Sequence, residues 1–423
     1  MLFLLRFQRT KEKLHKTNLM KILHTSDWHL GKKLGDYHRL PEQKEILEEI
    51  TTIADKEKAD LVIISGDLFD TFNPPAEAVE LFYKNLKKLS LNGKRPVIAI
   101  AGNHDSPERI ELADPLAREC GIIFIGFPNT IVPLLKLETG MKIANSEEGF
   151  VELYIPDSEI PVRILHTAYA NEFRLKAFLG NDDSEAEMRE ILREKWKLLS
   201  EKYCDQKGIN LLISHLFFVK EGEVLPEEPE DEKPIVHVGG AQVIFTSAIP
   251  GNIQYTALGH LHRKQFVDKT PCPVCYSGSP LAYSFSEANQ KKYVICVDAE
   301  PGKAVKIKEI ELQTGKKLLR YRAENIENAL EWLCNNEKSL VELTLVSDTY
   351  ISAQDRRQLY NCHKGIISIV PEIIRKDNAE SEKISIDLTK NITELFVDYF
   401  KHEKGQEPNE KIMKLFKEVL SEK

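Results

Sequence analysis

ADLVIISGDLFD, residues 59–70, sets an apolar, β-branched run directly against a burst of glycine, aspartate and aromatic residues. Leu61–Ile64 shows no polar alternation, so a strand built from it is buried on both faces, as in a parallel sheet covered by helices. Four other segments repeat this grammar: KILHTSDWH (21–29), RPVIAIAGNHD (95–105), INLLISH (209–215) and IQYTALGHLH (253–262). Helical patterns separate the first three. PEQKEILEEITTIADKEK carries Ile46, Leu47, Ile50 and Ile53 on one stripe, and PPAEAVELFYKNLKKLS opens on prolines suited to a helix start. This alternation of strand and helix predicts an α/β core.

Strands buried in such a sheet deliver their last residues to one edge, where side chains from several strands converge. Here they deliver Asp27 and His29; Asp67 and Asp70; Asn103, His104 and Asp105; His215; and His260 and His262. One such histidine reads as a satisfied core residue. Five of the chain's 12, each with carboxylates or amides at equivalent strand ends, read as a site. Mixed oxygen and nitrogen donors suit Mn²⁺, Fe²⁺ or Zn²⁺ better than Ca²⁺ or a thiolate zinc site. Asp27, His29, Asp67, Asn103, His215, His260 and His262 are too many ligands for one ion with open positions. Two ions bridged by Asp67, about 3.5–4 Å apart, would use them all. His104 and Asp70 stay outside that set. A histidine beside the metals can protonate a leaving oxygen, with a carboxylate fixing its tautomer.

Asp27-x-His29, Gly66-Asp67-Leu68-Phe69-Asp70, Gly102-Asn103-His104-Asp105, His215 and Gly259-His260-Leu261-His262 resemble, in order, the five motifs of calcineurin-like metallophosphoesterases. The resemblance implies a two-sheet sandwich flanked by helices. It implies one metal held by Asp27, His29, Asp67 and His262 and a second held by Asp67, Asn103, His215 and His260. His104 would be the acid, oriented by Asp70. TSDWHLGKKL, GNHDSPER, SHLFF, ALGHLHRKQ and YSGSPLAYSFSE are similar to the SbcCD-type branch, the nucleases of double-strand-break repair. That branch implies a Mn²⁺-dependent DNA nuclease of repair, recombination and replication: an ATP-dependent 3′→5′ exonuclease on duplex ends and an endonuclease on hairpins and single strands. It further implies an SbcC-type SMC-like ATPase partner and a homodimer within a heterotetramer. Two other readings stand beside it, a stand-alone phosphoesterase for nucleotides or phosphoproteins and a non-catalytic DNA-end scaffold.

On this reading residues 20–299 form the nuclease domain, and 300–388 a small α+β domain that caps DNA. Residues 389–423 form a helical hairpin that docks the ATPase, and 1–19 a disordered leader or start-site artefact. The helix SEAEMREILREKWKLLSEKY (184–203) aligns Met188, Ile191, Leu192, Trp196, Leu199 and Tyr203 on a core-facing stripe. The stretch 221–233 is an acidic solvated loop, and the terminal hairpin carries apolar stripes from Ile392 to Phe400 and from Ile412 to Leu420.

A net charge of −8 gives no general affinity for nucleic acid, although a local basic surface or bound cations still attract phosphate. Seven scattered cysteines point to a reducing, cytoplasmic setting, with Cys272 and Cys275 two thiols in a loop. No run approaches the roughly 18 apolar residues that a membrane span needs. Asp105 is expected to cap the helix that follows it, His38 and Arg39 to be exposed, and His24 and His166 to be structural. Trp28 and Phe69 are expected beneath the site or at its rim, and Tyr283 and Phe285 along the DNA edge.

Overall fold

The computed structural model describes residues 18–175, 184–223, 243–347, 351–373 and 392–404, with Pro408, Ile412, Met413 and Phe416. The expectations for residues 1–17, 224–233 and 374–388, and for Leu415, Val419 and Leu420, lie outside them.

A six-stranded sheet runs Lys306–Glu311, Tyr293–Ala299, Met20–Thr25, Leu61–Ser65, Val97–Ile100 and Ile122–Ile125. Its last four strands are parallel, with Ile63 opposite His24 and Ile98 opposite Ile63. An eight-stranded sheet runs Gln265–Asp268, Val274–Tyr276, Tyr255–Leu258, Ile209–Ser214, Val162–Thr167, Phe150–Tyr154, Lys142–Glu147 and Leu135–Lys136. Strict alternation along each strand makes the sandwich. Leu61 and Ile63 face inward onto Leu211, Ile213 and Ala257 of the other sheet. Val62 and Ile64 face outward onto Leu47, Ile50, Phe82 and Leu86, from the helices Leu40–Lys56 and Ala76–Ser90. Across the second sheet, Leu165, Leu212 and Leu258 meet Met188, Leu192 and Trp196 of the helix Ser184–Tyr203. Strands so covered on both sides explain the unbroken apolar runs. Ile191, expected on that stripe, is 36% exposed instead.

The strand Lys306–Glu311 pairs with Tyr293–Ala299 in the first sheet, so this layer continues past residue 300, where the sequence pattern changes. The small domain is a three-stranded parallel sheet of Lys317–Ala323, Ser339–Ser347 and Ile366–Ile373, crossed by the helices Ile326–Cys334 and Ala353–Cys362. Asn325 and Ser352 cap these helices by accepting from Asn328 N and Asp355 N. The strand Lys317–Ala323 was not anticipated, although Leu319-Arg320-Tyr321-Arg322-Ala323 alternates apolar and polar residues as a half-buried strand does.

Contacts divide the chain between Ile373 and Ile374. In the second unit the helix Ile392–Lys404 places Phe396 in a stack on Phe416, with ring centroids 3.9 Å apart. Among the described residues no helix is long and apolar enough to cross a membrane, and all seven cysteines are free thiols.

Candidate metal centre

The loops after five parallel strands converge where the two sheets share an edge. Asp27 N donates to Gly66 O and His29 N to Asp67 O, which ties the first two loops side by side. Four of the residues there take left-handed backbone: Asp27 (φ 53°), His29 (φ 44°), Asp67 (φ 49°) and His260 (φ 109°). Such conformations cost about 1–3 kcal/mol each and persist only where the surroundings over-determine them. Gly102 shows how closely the loops approach. A Cβ there would lie 2.1 Å from Asp67 Oδ1. A Cβ on Gly66 (φ 91°) would lie 2.2 Å from His215 Nδ1.

The structure brings all seven expected ligands together, in two clusters that meet at Asp67. In one, His29 Nε2 lies 3.0 Å from His262 Nε2 and 3.4 Å from Asp67 Oδ2, with Asp27 completing the group. In the other, Asn103 Oδ1 lies 3.0 Å from both His215 Nε2 and His260 Nδ1, and His215 Nε2 lies 3.4 Å from the same Asp67 Oδ2. Donors about 2.1 Å from one cation sit about 3 Å apart when adjacent, so these spacings fit a divalent ion in each cluster. The donor set of carboxylate, amide oxygen and imidazole fits a borderline cation and offers no thiolate.

Electrostatics agree at His29 and His260. Burial pushes His29 down to about 4 and His260 down to about 3, so both present neutral rings with lone pairs available. Burial also opposes charge on Asp67, yet the His215, His104 and His29 imidazoles hold its carboxyl well below the usual range. At His215, burial is outweighed by Asp67 and Asp27, which push it up to about 9 and favour positive charge there. Its Nδ1 donates to Ser65 O at 2.7 Å, leaving Nε2 directed at Asp67 and Asn103.

His104 is half-buried beside this pair, its ring 4.8 Å from that of His29. Its main-chain N donates to Asp67 Oδ1, and its Nδ1 donates to the main-chain carbonyl of Asp70 at 2.8 Å. Asp70 thus meets His104 through its backbone, not through the carboxylate that was expected to orient it. That carboxylate pairs with Lys32 Nζ at 2.8 Å and faces His29 Nδ1 at 3.6 Å. Burial opposes its charge, but His29 and Lys32 hold it down at about 2.

Asp105 does not cap the following helix; Ser106 does, accepting from Arg109 N. Asp105 is buried and accepts from Leu68 N, Phe69 N and Gly102 N, which locks two motif loops together. Burial, helped by Asp67, pushes it up to about 6. Arg39 is buried rather than exposed, held by Glu42 and by the carbonyl of Ala282, while His38 is exposed as expected. Tyr283 and Phe285 are buried and offer DNA no edge; Tyr283 instead donates to Trp28 O. Trp28 and Phe69 pack beneath the site on Phe82. His24 and His166 are buried in strands, His24 bonded to Tyr255 Oη and Leu258 O.

Two contributors went unread. Arg174 donates to Gly102 O and Asp105 O, clamping both ends of the loop that carries Asn103 and His104. Glu287 lies 3.4 Å from His262 Nδ1. Its one signal was that it is the sole acid in SGSPLAYSFSE.

The calcineurin-like phosphoesterase family matches residues 20–264 of the chain. The SbcD component of the nuclease SbcCD from Bacillus subtilis is 34% identical over 410 residues, covering 95% of this chain and 98% of that protein. A crystal structure from Thermus thermophilus aligns over 70% of this chain and 100% of its own, with 12% identity and a TM-score of 0.37. A dimetal phosphatase from Danio rerio aligns over 70% and 99%, with 11% identity and a TM-score of 0.35. By family match and by near full-length identity, the chain belongs to the calcineurin-like phosphoesterases, on the branch of the SbcD nucleases, and is a metal-dependent phosphodiester hydrolase.

Proposed function

We propose that the chain is a Mn²⁺-dependent DNA nuclease: a 3′→5′ exonuclease on duplex ends and an endonuclease on hairpins and single strands, acting in repair, recombination and replication in the cytoplasm. The observation that carries the reading is the pair of ligand clusters meeting at Asp67 Oδ2 with His104 alongside. The near full-length relative, itself named as part of a nuclease, supports the choice of substrate class.

Asp27, His29, Asp67 and His262 would hold one divalent cation, and Asp67, Asn103, His215 and His260 the other. When bound, the cations supply charge neutralisation and a polarised water. The protein's own share is to hold the ligands in register and to deliver a proton. Because His104 Nδ1 is committed to the Asp70 carbonyl, the proton it gives the leaving oxygen comes from Nε2 of the imidazolium. Asp70 serves both sides of this arrangement, its carbonyl on His104 and its carboxylate toward His29.

The helical hairpin 389–423 would dock an SbcC-type SMC-like ATPase, which makes cleavage ATP-dependent, and the small domain that begins at Lys317 would cap the DNA. Two chains would pair through the helices after residues 74 and 106, within a heterotetramer. Leu112 and Leu116, 82% and 78% exposed on the latter helices, offer apolar surface for that contact.

The test is to assay the purified chain with Mn²⁺, alone and with an SMC-like ATPase, on linear duplex DNA, a DNA hairpin and a generic phosphate ester. Cleavage of both DNAs is expected. Activity on the ester alone would contradict the nuclease reading, and DNA binding without cleavage would favour a scaffold.

A further inference from the structure

His262 has two ring nitrogens with different neighbours. Nε2 points into the first ligand cluster, 3.0 Å from His29 Nε2. Nδ1 lies 3.4 Å from Glu287 Oε1. A carboxylate can only accept, so this contact puts the proton on Nδ1 and leaves the Nε2 lone pair facing the cluster.

Glu287 is itself fixed. It is 2% exposed, its Oε1 accepts from Tyr283 N at 2.9 Å, and its Oε2 accepts from Ser279 Oγ and from the Lys292 ammonium. Lys292 also donates to His262 O at 3.1 Å and to Ser279 Oγ at 3.0 Å. One buried cation therefore ties the backbone of the ligand to the carboxylate behind its ring. Tyr283, in the same turn, packs its ring 5.5 Å from His29 and 6.2 Å from His262. An ion pair buried in this way is a poor source of stability, since apolar residues of like volume commonly do as well. Its place directly behind a metal ligand gives it another use.

We propose that Glu287, held in place by Lys292, is the positioning residue that aims His262 Nε2 into the cluster of Asp27, His29 and Asp67. The two clusters are then unequal. The corresponding contact of His215 in the other cluster is to a neutral carbonyl, that of Ser65. A full carboxylate makes the imidazole it orients a stronger donor. Loss of Glu287 should weaken one metal site and spare its neighbour.

The experiment titrates the full-length chain with Mn²⁺ by calorimetry, comparing wild type, Glu287→Gln and Glu287→Gln/Lys292→Met. The double variant removes the lysine that the single change would strand, so it tests the role without an unpaired buried charge. Both variants should bind Mn²⁺ at one site about 10–100-fold more weakly, with the other site unchanged. The double variant should also keep a wild-type thermal midpoint. Unchanged affinities in the double variant, or equal weakening of both sites, would overturn the role of Glu287 alone. A wild-type chain that takes up no Mn²⁺ would overturn that role together with the metal-centre reading.

Discussion

The shared sheet edge and the small domain 317–373 are held by opposite means. At the edge, polar groups are buried and answer to backbone: Asp105 to three amides, His215 to Ser65 O, His104 to Asp70 O. Left-handed residues cluster there, whereas among the described residues of the small domain no residue other than glycine has positive φ. In the small domain charged pairs stand in solvent, Arg320 on Glu342 and Arg322 on Glu372, around a compact core of Leu333, Val341, Leu343 and Leu359. Precise placement of donors demands strain and close approach. A sheet that offers mainly a surface does not. Substitutions should therefore be punished steeply at the edge and absorbed in the small domain.

The largest expected effect is at Gly102. In Gly102→Ala the new methyl collides with Asp67, the carboxylate shared by both clusters. Both metals and all cleavage should be lost, read as Mn²⁺ content and turnover of the purified variant. Retention of both ions would show that the loops yield more easily than their packing implies. Next is His104→Asn, which removes the acid and none of the ligands. Turnover should fall about 10²–10⁴-fold while Mn²⁺ stoichiometry stays at the wild-type value. If that variant loses its metals instead, His104 has been given the wrong role.

A smaller effect separates the edge from the strand interiors. His166 is buried with no hydrogen-bond partner on either ring nitrogen among the described residues, and burial pushes it down to about 3. The unfolded chain takes up its proton near pH 6.5, so stability rests on the neutral form and is lost as pH falls from 6.5 toward 3. Between pH 7 and 5 this residue should cost about 2 kcal/mol. Urea midpoints at the two pH values should show His166→Leu losing less stability than wild type; equal losses would mean that His166 finds a partner. The smallest effect belongs to Arg322→Ala, which breaks exposed pairs with Glu324 and Glu372. Its melting temperature should match wild type, and a clear drop would erase the contrast between the two regions.

The sequence makes the metal centre legible because period and punctuation coincide: apolar strands end abruptly, and Asp, Asn and His follow each end. Ligand arithmetic calls for two ions, and the resemblance to the phosphoesterases implies that Asp67 is the ligand they share. What stayed hidden depends on contacts that no local pattern encodes. Asp105 looks like a helix cap because it precedes Ser106 and a proline, and only the fold brings Leu68 N and Phe69 N to it. Arg39 looks exposed because it is charged, yet Glu42, three residues on, lets it be buried. Glu287 and Arg174 act across long stretches of chain, on His262 and on the Gly102–Asp105 loop. The extension of the first sheet by Lys306–Glu311 was missed because KIKEIE gives each face a single isoleucine, Ile307 on one and Ile310 on the other, among charged residues.

The central claim is that two metal sites share one carboxylate, and the Mn²⁺ stoichiometry of Asp67→Asn tests it most directly. Wild type should bind two Mn²⁺ per chain. The Asp67→Asn variant should lose affinity at both sites together, while Asp27→Asn, which touches one cluster's ligand set, should weaken chiefly one. A wild-type stoichiometry of one, or an Asp67→Asn variant that gives up a single ion and holds the other at full strength, would contradict the account.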